Sequence, residues 1–249
     1  MTIFWFVVFG LVPSFAWLAY YLRKDQHPEP NIMIVKVFAF GGAGAMFAHF
    51  AEPLFAPMLR GLTRIAQESF SLSPDAATSL FYALYFFFAV ALLEELLKYF
   101  AVRVLVYPSE ELDEPIDLML YMIIAALGFA GVENILKFFE LGANPDPSHI
   151  VLLSAFRFAG ATFLHALASG LFGYALVVAW YGKKSHALHA LAGLLVATVA
   201  HTLFNFSLIR AEHEMRFLYP AAILIVLTTL LSLAFLHVKK IKSICEIHA

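Results

Sequence analysis

Apolar residues run along the chain in seven blocks, separated by short polar stretches rich in turn residues. The blocks fall at roughly 3–22, 31–58, 79–107, 118–141, 150–181, 186–209 and 216–238. Each is as long as the roughly 20 residues that an α-helix needs to cross the hydrocarbon core of a bilayer. The alternating segments of a membrane β-barrel are absent. The pattern predicts an all-α protein, a polytopic membrane helix bundle with about seven transmembrane helices. KDQHPEP, PSEELDEPID and GANPDPSH read as connecting turns. The longest connection, RGLTRIAQESFSLSPDAAT, predicts a surface helix. The second and fifth blocks exceed a simple span, so tilt or a break is expected there, with GGAG at 41–44 and Gly160 as the natural places. No repeat or soluble domain interrupts the pattern, so residues 1–249 read as one membrane-embedded domain with its core at about 25–210.

Composition agrees with a lipid solvent. Of the 249 residues 62% are hydrophobic and 14% charged, against about 45–50% apolar in soluble domains. A formal net charge of −2 gives no basis for binding nucleic acid. The single cysteine, Cys245, excludes an intramolecular disulfide. The first block lacks the positive start of a secretory signal and reads as a retained helix. Basic residues then set the orientation. With seven spans and the N-terminus outside, the inner loops hold Arg23, Lys24, Lys183, Lys184, Lys239, Lys240 and Lys242, and the outer loops hold Arg60, Arg64, Arg210 and Arg216. This bias favours a multi-pass protein of the cytoplasmic membrane with its C-terminus inside. Trp5, Trp180, Tyr181 and Tyr219 fall near span ends, as interfacial aromatics should.

The polar residues inside the blocks change the picture. The third block carries EELLK at 94–98. Its sixteen Leu, Phe and Val residues favour insertion by about 0.3–0.6 kcal/mol each, and Glu94, Glu95 and Lys98 take back about 2.5–3.5 kcal/mol each. Such a helix is marginal alone in lipid and must face other helices or a wet cavity. Glu94 and Lys98 are spaced to pair on one face. Glu95, turned by about 100°, is left to face a neighbouring helix. The fourth block adds Glu133 and Asn134, the fifth Arg157, His165 and Ser169, and the sixth His201 and Asn205. Taken singly, a membrane histidine reads as an interhelical hydrogen bond, Ser169 and Asn205 as helix–helix glue, Arg157 as the partner of an acid, and Lys36 and Lys137 as anchors near span ends. Two adjacent glutamates have no such packing role. Four helices present acids and imidazoles at similar depth, which is tolerable if they share one hydrated cavity.

Glutamate with two histidines suits activation of water, the carboxylate taking the proton and an imidazole orienting the water or holding a charge. The same groups suit a divalent metal such as zinc, with Glu95, His165 and His201 as candidate ligands. Asn205, one turn from His201, is placed to donate to an oxyanion. Ser169 lacks a nucleophile elbow, and no HExxH is present. The alternative built from the same buried acids and histidines is a proton-coupled transporter or channel, though no inverted repeat is visible. A non-enzymatic scaffold is a third reading. The seventh block has no mid-membrane lysine for a retinal Schiff base.

EELLK at 94–98, FAGVE at 129–133, HALAS at 165–169 and HTLFN at 201–205 resemble, in order, the EExxK, FxxxE, HxxxS and HxxxN motifs of the PrsW intramembrane proteases. GFAGVEN, and FR at 156–157 ahead of the first histidine motif, add to a match over roughly residues 25–210. That family is related to the CAAX prenyl endopeptidases and the bacteriocin-immunity proteins. The resemblance implies a membrane-embedded endopeptidase acting on a membrane-anchored protein, in bacteria a membrane anti-sigma factor cut on its outer side. By motif, Glu94 and Glu95 would be catalytic acids, His165 and His201 would bind water or metal, and Ser169 and Asn205 would support them. Glu133 would join the polar cluster, with Lys98, Asn134 and Arg157 as supporting groups. The fourth span departs from the family pattern DGxxYG, keeping Asp117 and Tyr121 but not the glycines.

Overall fold

The computed structural model describes residues 2–241 apart from 26, 143–144, 182–185, 211–214 and 216. Among them the chain is helical and contains no strand. Helix α1 spans Thr2–Leu22, α2 Asn31–Phe70 and α3 Pro74–Leu84; a π-helical segment, Tyr85–Leu92, leads into α4, Leu93–Leu105. Then follow α5 (Pro115–Phe139), α6 (Pro147–Ala159), α7 (Ala161–Tyr181), α8 (His186–Arg210) and α9 (Leu218–Val238). α3, the π segment and α4 run on as one stretch, and α6 with α7 as another, so seven stretches are long and apolar enough to span a bilayer. They coincide in order and place with the seven blocks. Lys183, Lys184, Arg216, Lys242 and Cys245, used above for orientation and redox, lie outside the described residues.

The helix starts follow local chemistry. Proline occupies the first turn of α3, α5 and α6, where its missing N–H is harmless. Ser73 Oγ accepts from Ala76 N at 3.2 Å to cap α3, and Asp146 Oδ1 accepts from Ser148 N at 2.8 Å to cap α6. Asp117 Oδ2 accepts from Glu114 N at 2.6 Å within a reciprocal capping box at α5. Asp117, kept from the family pattern, is therefore bound to backbone amides at the helix start.

Two expectations are corrected. GGAG does not break α2. A side-chain carbon on Gly41 would lie 2.1 Å from the Ala125 carbonyl oxygen, and one on Gly128 would lie 1.9 Å from that of Phe38. The glycines serve backbone-to-backbone contact between α2 and α5, as small residues do where membrane helices cross. The separate surface helix is also absent. α2 continues through Pro53 and Pro57 to Phe70 and ends at Ser71, whose φ of 51° is left-handed. At 40 residues it is about 60 Å long, twice the roughly 30 Å of hydrocarbon, so its end and α3 stand out of the bilayer as a hairpin. The expected break at Gly160 is present: the backbone turns there with φ −110° and ψ −95°.

α5 is the central helix. Its residues from Pro115 to Gly131 are buried all round, as expected for a helix that is apolar on every face. α1, α2, α4 and α7 enclose it, and α8 packs against α7 and the π segment. This order places α4, α5, α7 and α8 around one polar interior.

Candidate active site

The π segment delivers α4 into the bundle with Glu94, Glu95 and Lys98 all enclosed. Such i→i+5 turns are rare and occur often at functional sites. Lys98 Nζ, 0% exposed, donates to Glu95 Oε1 at 2.7 Å and sits 3.4 Å from Glu94 Oε2. The pair expected from spacing, Glu94 with Lys98, is present, but the lysine binds Glu95 more closely, and Glu94 also faces the histidines. Ser169 Oγ on α7 donates to the other Glu95 oxygen at 2.6 Å. Lys98 also lies over the Phe129 ring, 4.6 Å from its centroid.

His165 Nδ1 lies 2.8 Å from Lys98 Nζ. An ammonium can only donate, so Nδ1 accepts, and Nε2 carries the proton that it donates to Glu133 Oε2 at 3.0 Å. Arg157 Nη2 donates to the same Glu133 oxygen at 2.6 Å, and its Nε donates to Asn134 Oδ1. Asn134 Nδ2 in turn donates to Gly10 O and Thr162 Oγ1, both at 3.0 Å. One chain of contacts therefore joins α1, α5, α6 and α7. The His201 ring stands perpendicular to His165, with centroids 4.9 Å apart. Its Nδ1 faces Glu95 Oε1 at 3.4 Å but is buried without a hydrogen-bond partner. Its Nε2 faces Glu94 Oε2 at 3.9 Å.

Each imidazole thus turns one nitrogen to Glu94 Oε2, at 3.7 Å for His165 Nδ1 and 3.9 Å for His201 Nε2, and the other to a second carboxylate. Metal-binding imidazoles are held in this way. Glu94, His165 and His201 each offer a donor atom, all within 4.8 Å of one another. Two imidazoles and a carboxylate fit a divalent metal, on condition that Lys98 releases the Nδ1 lone pair of His165. Glu95, named from the sequence as the metal carboxylate, is instead taken up by Lys98 and Ser169.

A cavity of about 440 Å³ opens beside this group, with Glu94, Glu133, Arg157, His165, His201 and Asn205 on its wall. It reaches the surface at Lys137 and Glu140, which pair at 2.8 Å with side chains 44% and 60% exposed. All ten singled-out residues lie in or around this cluster, Asn205 as a cavity wall residue. The sequence reading missed His49 and Glu52, which line the cavity from α2. Their signal was a pair of polar residues three apart in an apolar block.

Comparison with known proteins agrees with this geometry. The family model described as "PrsW family intramembrane metalloprotease" matches residues 29–234. The chain is 28% identical to Protease PrsW of Geobacillus kaustophilus over 204 residues, 82% of this chain and 79% of that protein. It is 30% identical to Protease PrsW of Oceanobacillus iheyensis over 203 residues, 80% of each. With Protease PrsW of Bacillus subtilis the figures are 26% over 213 residues, 85% of this chain and 86% of that one. No solved structure matches the chain. The transport reading finds no support in these matches. This multi-pass membrane protein belongs to the PrsW family of intramembrane metalloproteases.

Proposed function

We propose that the chain hydrolyses a peptide bond of a membrane-anchored protein, with water activated between Glu94, His165 and His201. The observation that supports this reading is that three helices turn these side chains toward one another on the wall of a single cavity that reaches the surface. Of the two adjacent glutamates only Glu94 lines the cavity, so Glu94 takes the proton of the attacking water and returns it to the leaving amine as the C–N bond breaks. Glu95, held by Lys98 and Ser169, faces His201 Nδ1 at 3.4 Å and favours a proton on that nitrogen. Glu133, braced by Arg157, accepts from His165 Nε2–H and keeps the other ring nitrogen turned to Glu94. The Asn205 amide, on the same wall, donates to the oxyanion of the tetrahedral intermediate.

Glu94, His165 and His201 would hold a divalent metal, zinc being the ion this set suits. When bound, it supplies a polarised carbonyl and a more acidic water. With the N-terminus outside, the cavity opens toward the outer face of the cytoplasmic membrane, and a membrane anti-sigma factor is the substrate class the family resemblance suggests.

The test compares membranes carrying the wild-type chain, Glu94→Gln, His165→Ala or His201→Ala. Mass spectrometry follows single-span proteins that lose their outer portion. Fragments seen only with the wild-type chain are expected. The same fragments from all three variants, each shown to melt cooperatively, would end the proposal.

A further inference from the structure

A second concavity, of about 500 Å³, lies between α1, α7 and α9, away from the carboxylates and imidazoles of the candidate site. This is within the roughly 300–1,000 Å³ of ordinary ligand pockets. Its walls are aromatic and aliphatic, with Trp17, Tyr20, Phe163 and Phe235 among them, and its polar end carries Lys24 and Lys239. The hydroxyls of Thr228 and Ser232 on its wall donate to carbonyls of their own helix, at 2.6 and 2.7 Å. Neither hydroxyl carries a charge to offset a lysine.

The two lysines share one membrane level. Lys24 follows α1 by two residues, and Lys239 follows α9 directly. The two C-terminal ends lie together, with Tyr21 stacked on Phe235. That end is the one the basic-residue bias places in the cytoplasm. Lys98 and Lys137 each pair with glutamate, whereas neither Lys24 nor Lys239 forms an ion pair with a described residue. Lys24 Nζ lies over the Tyr20 ring at 4.7 Å. Asp25, next in sequence, accepts from His27 N instead. The groove thus combines a long apolar wall inside the bilayer with two cations, at headgroup depth, that no described acid pairs. Its chemical complement is a fatty chain that ends in a phosphate.

We propose that this groove binds one anionic phospholipid, with an acyl chain against Trp17, Phe163 and Phe235 and the headgroup phosphate between Lys24 and Lys239. Basic pockets between membrane helices on the cytoplasmic side recognise anionic headgroups by this combination. A zwitterionic lipid carries its own cation and gains less from the lysines. The site does not depend on the protease reading.

The experiment uses the full chain in detergent with an equimolar mixture of phosphatidylglycerol and phosphatidylcholine, and retained lipid is measured by native mass spectrometry. The wild-type chain is expected to retain phosphatidylglycerol in preference. Two surface lysines are worth about 30-fold in retention together, so Lys24→Gln with Lys239→Gln should bring that lipid down to the level of phosphatidylcholine. Ser232→Trp, which fills the groove and keeps both lysines, should remove the preference as well. Lys240→Gln, an exposed neighbour outside the groove, should keep it. No preference in the wild-type chain, a preference that survives the double substitution or Ser232→Trp, or an equal loss in Lys240→Gln would each overturn the proposal.

Discussion

Lys98 has no access to water and touches two glutamates and an imidazole. Removing it leaves Glu95 charged and enclosed, which costs about 3–5 kcal/mol when one partner of a buried pair is lost. Lys98→Met is therefore expected to lower the melting temperature in detergent sharply, and Glu95→Gln in the same chain to restore part of it. A double variant no more stable than the single would mean that the lysine acts through packing alone. Arg157 works differently, because its planar fork reaches both Glu133 and Asn134. Arg157→Lys keeps the charge but not the fork. Peptide cleavage is expected to fall at least tenfold, a loss of about 1.4 kcal/mol, with a smaller change in melting. Full activity in this variant would reduce Arg157 to a charge partner. The residue pairs were only partly legible in the sequence. Spacing allows Lys98 to meet Glu94 or Glu95 equally, and side-chain torsions, which no pattern reveals, decide for Glu95.

Helices were the most legible level, because a run of about 20 apolar residues has few other folds open to it. What remained hidden was how each helix uses its exceptions. The second block was expected to end near 58, yet α2 runs on to Phe70. GGAG was expected to mark tilt or a break and is a contact surface. Gly128→Leu should therefore destabilise the bundle by about 3 kcal/mol or more, at the upper end for an overfilled core, since the nearest atoms are backbone. An unchanged melting temperature would show that α2 can shift aside. The π segment carries no proline or glycine to announce it. At the junction of α1 and α2, Glu29 is buried and accepts from Tyr121 on α5 at 2.5 Å. Burial raises its pKa above 4.5, the ordinary glutamate value, with Asp25 and Asp113 adding to the effect. A carboxyl raised in the folded state binds more protons there than in the unfolded state, so its contribution to stability is present below that value and is lost as pH rises through the raised pKa. Glu29→Gln should flatten the fall in melting temperature as pH rises above 4.5 and through the raised pKa. A slope equal to that of the wild-type chain would assign the effect elsewhere.

At the scale of the molecule, the gathering of acids and imidazoles from α4, α5, α7 and α8 in one interior was legible from their similar depth and from the cost of leaving them in lipid. The contribution of α2 was not: His49 and Glu52 line the cavity, but they fall in none of the four motifs that carry the resemblance. A ligand that binds only the folded chain stabilises it by mass action. Purified wild-type protein should therefore melt several degrees lower after treatment with a chelator and recover with added zinc, while His165→Ala with His201→Ala should not respond. An unresponsive wild-type chain would leave glutamate and histidine to act without a metal. The enclosed lysine also bears on how the protein is made. When the ribosome has released α4 and α5 but not yet α7 and α8, Glu95 lacks Ser169, and Lys98 lacks His165. The half-finished chain would expose ions to lipid. The insertion machinery must then shelter α4 until its later neighbours emerge, and a product truncated before α7 should be degraded rather than accumulate as a stable fragment.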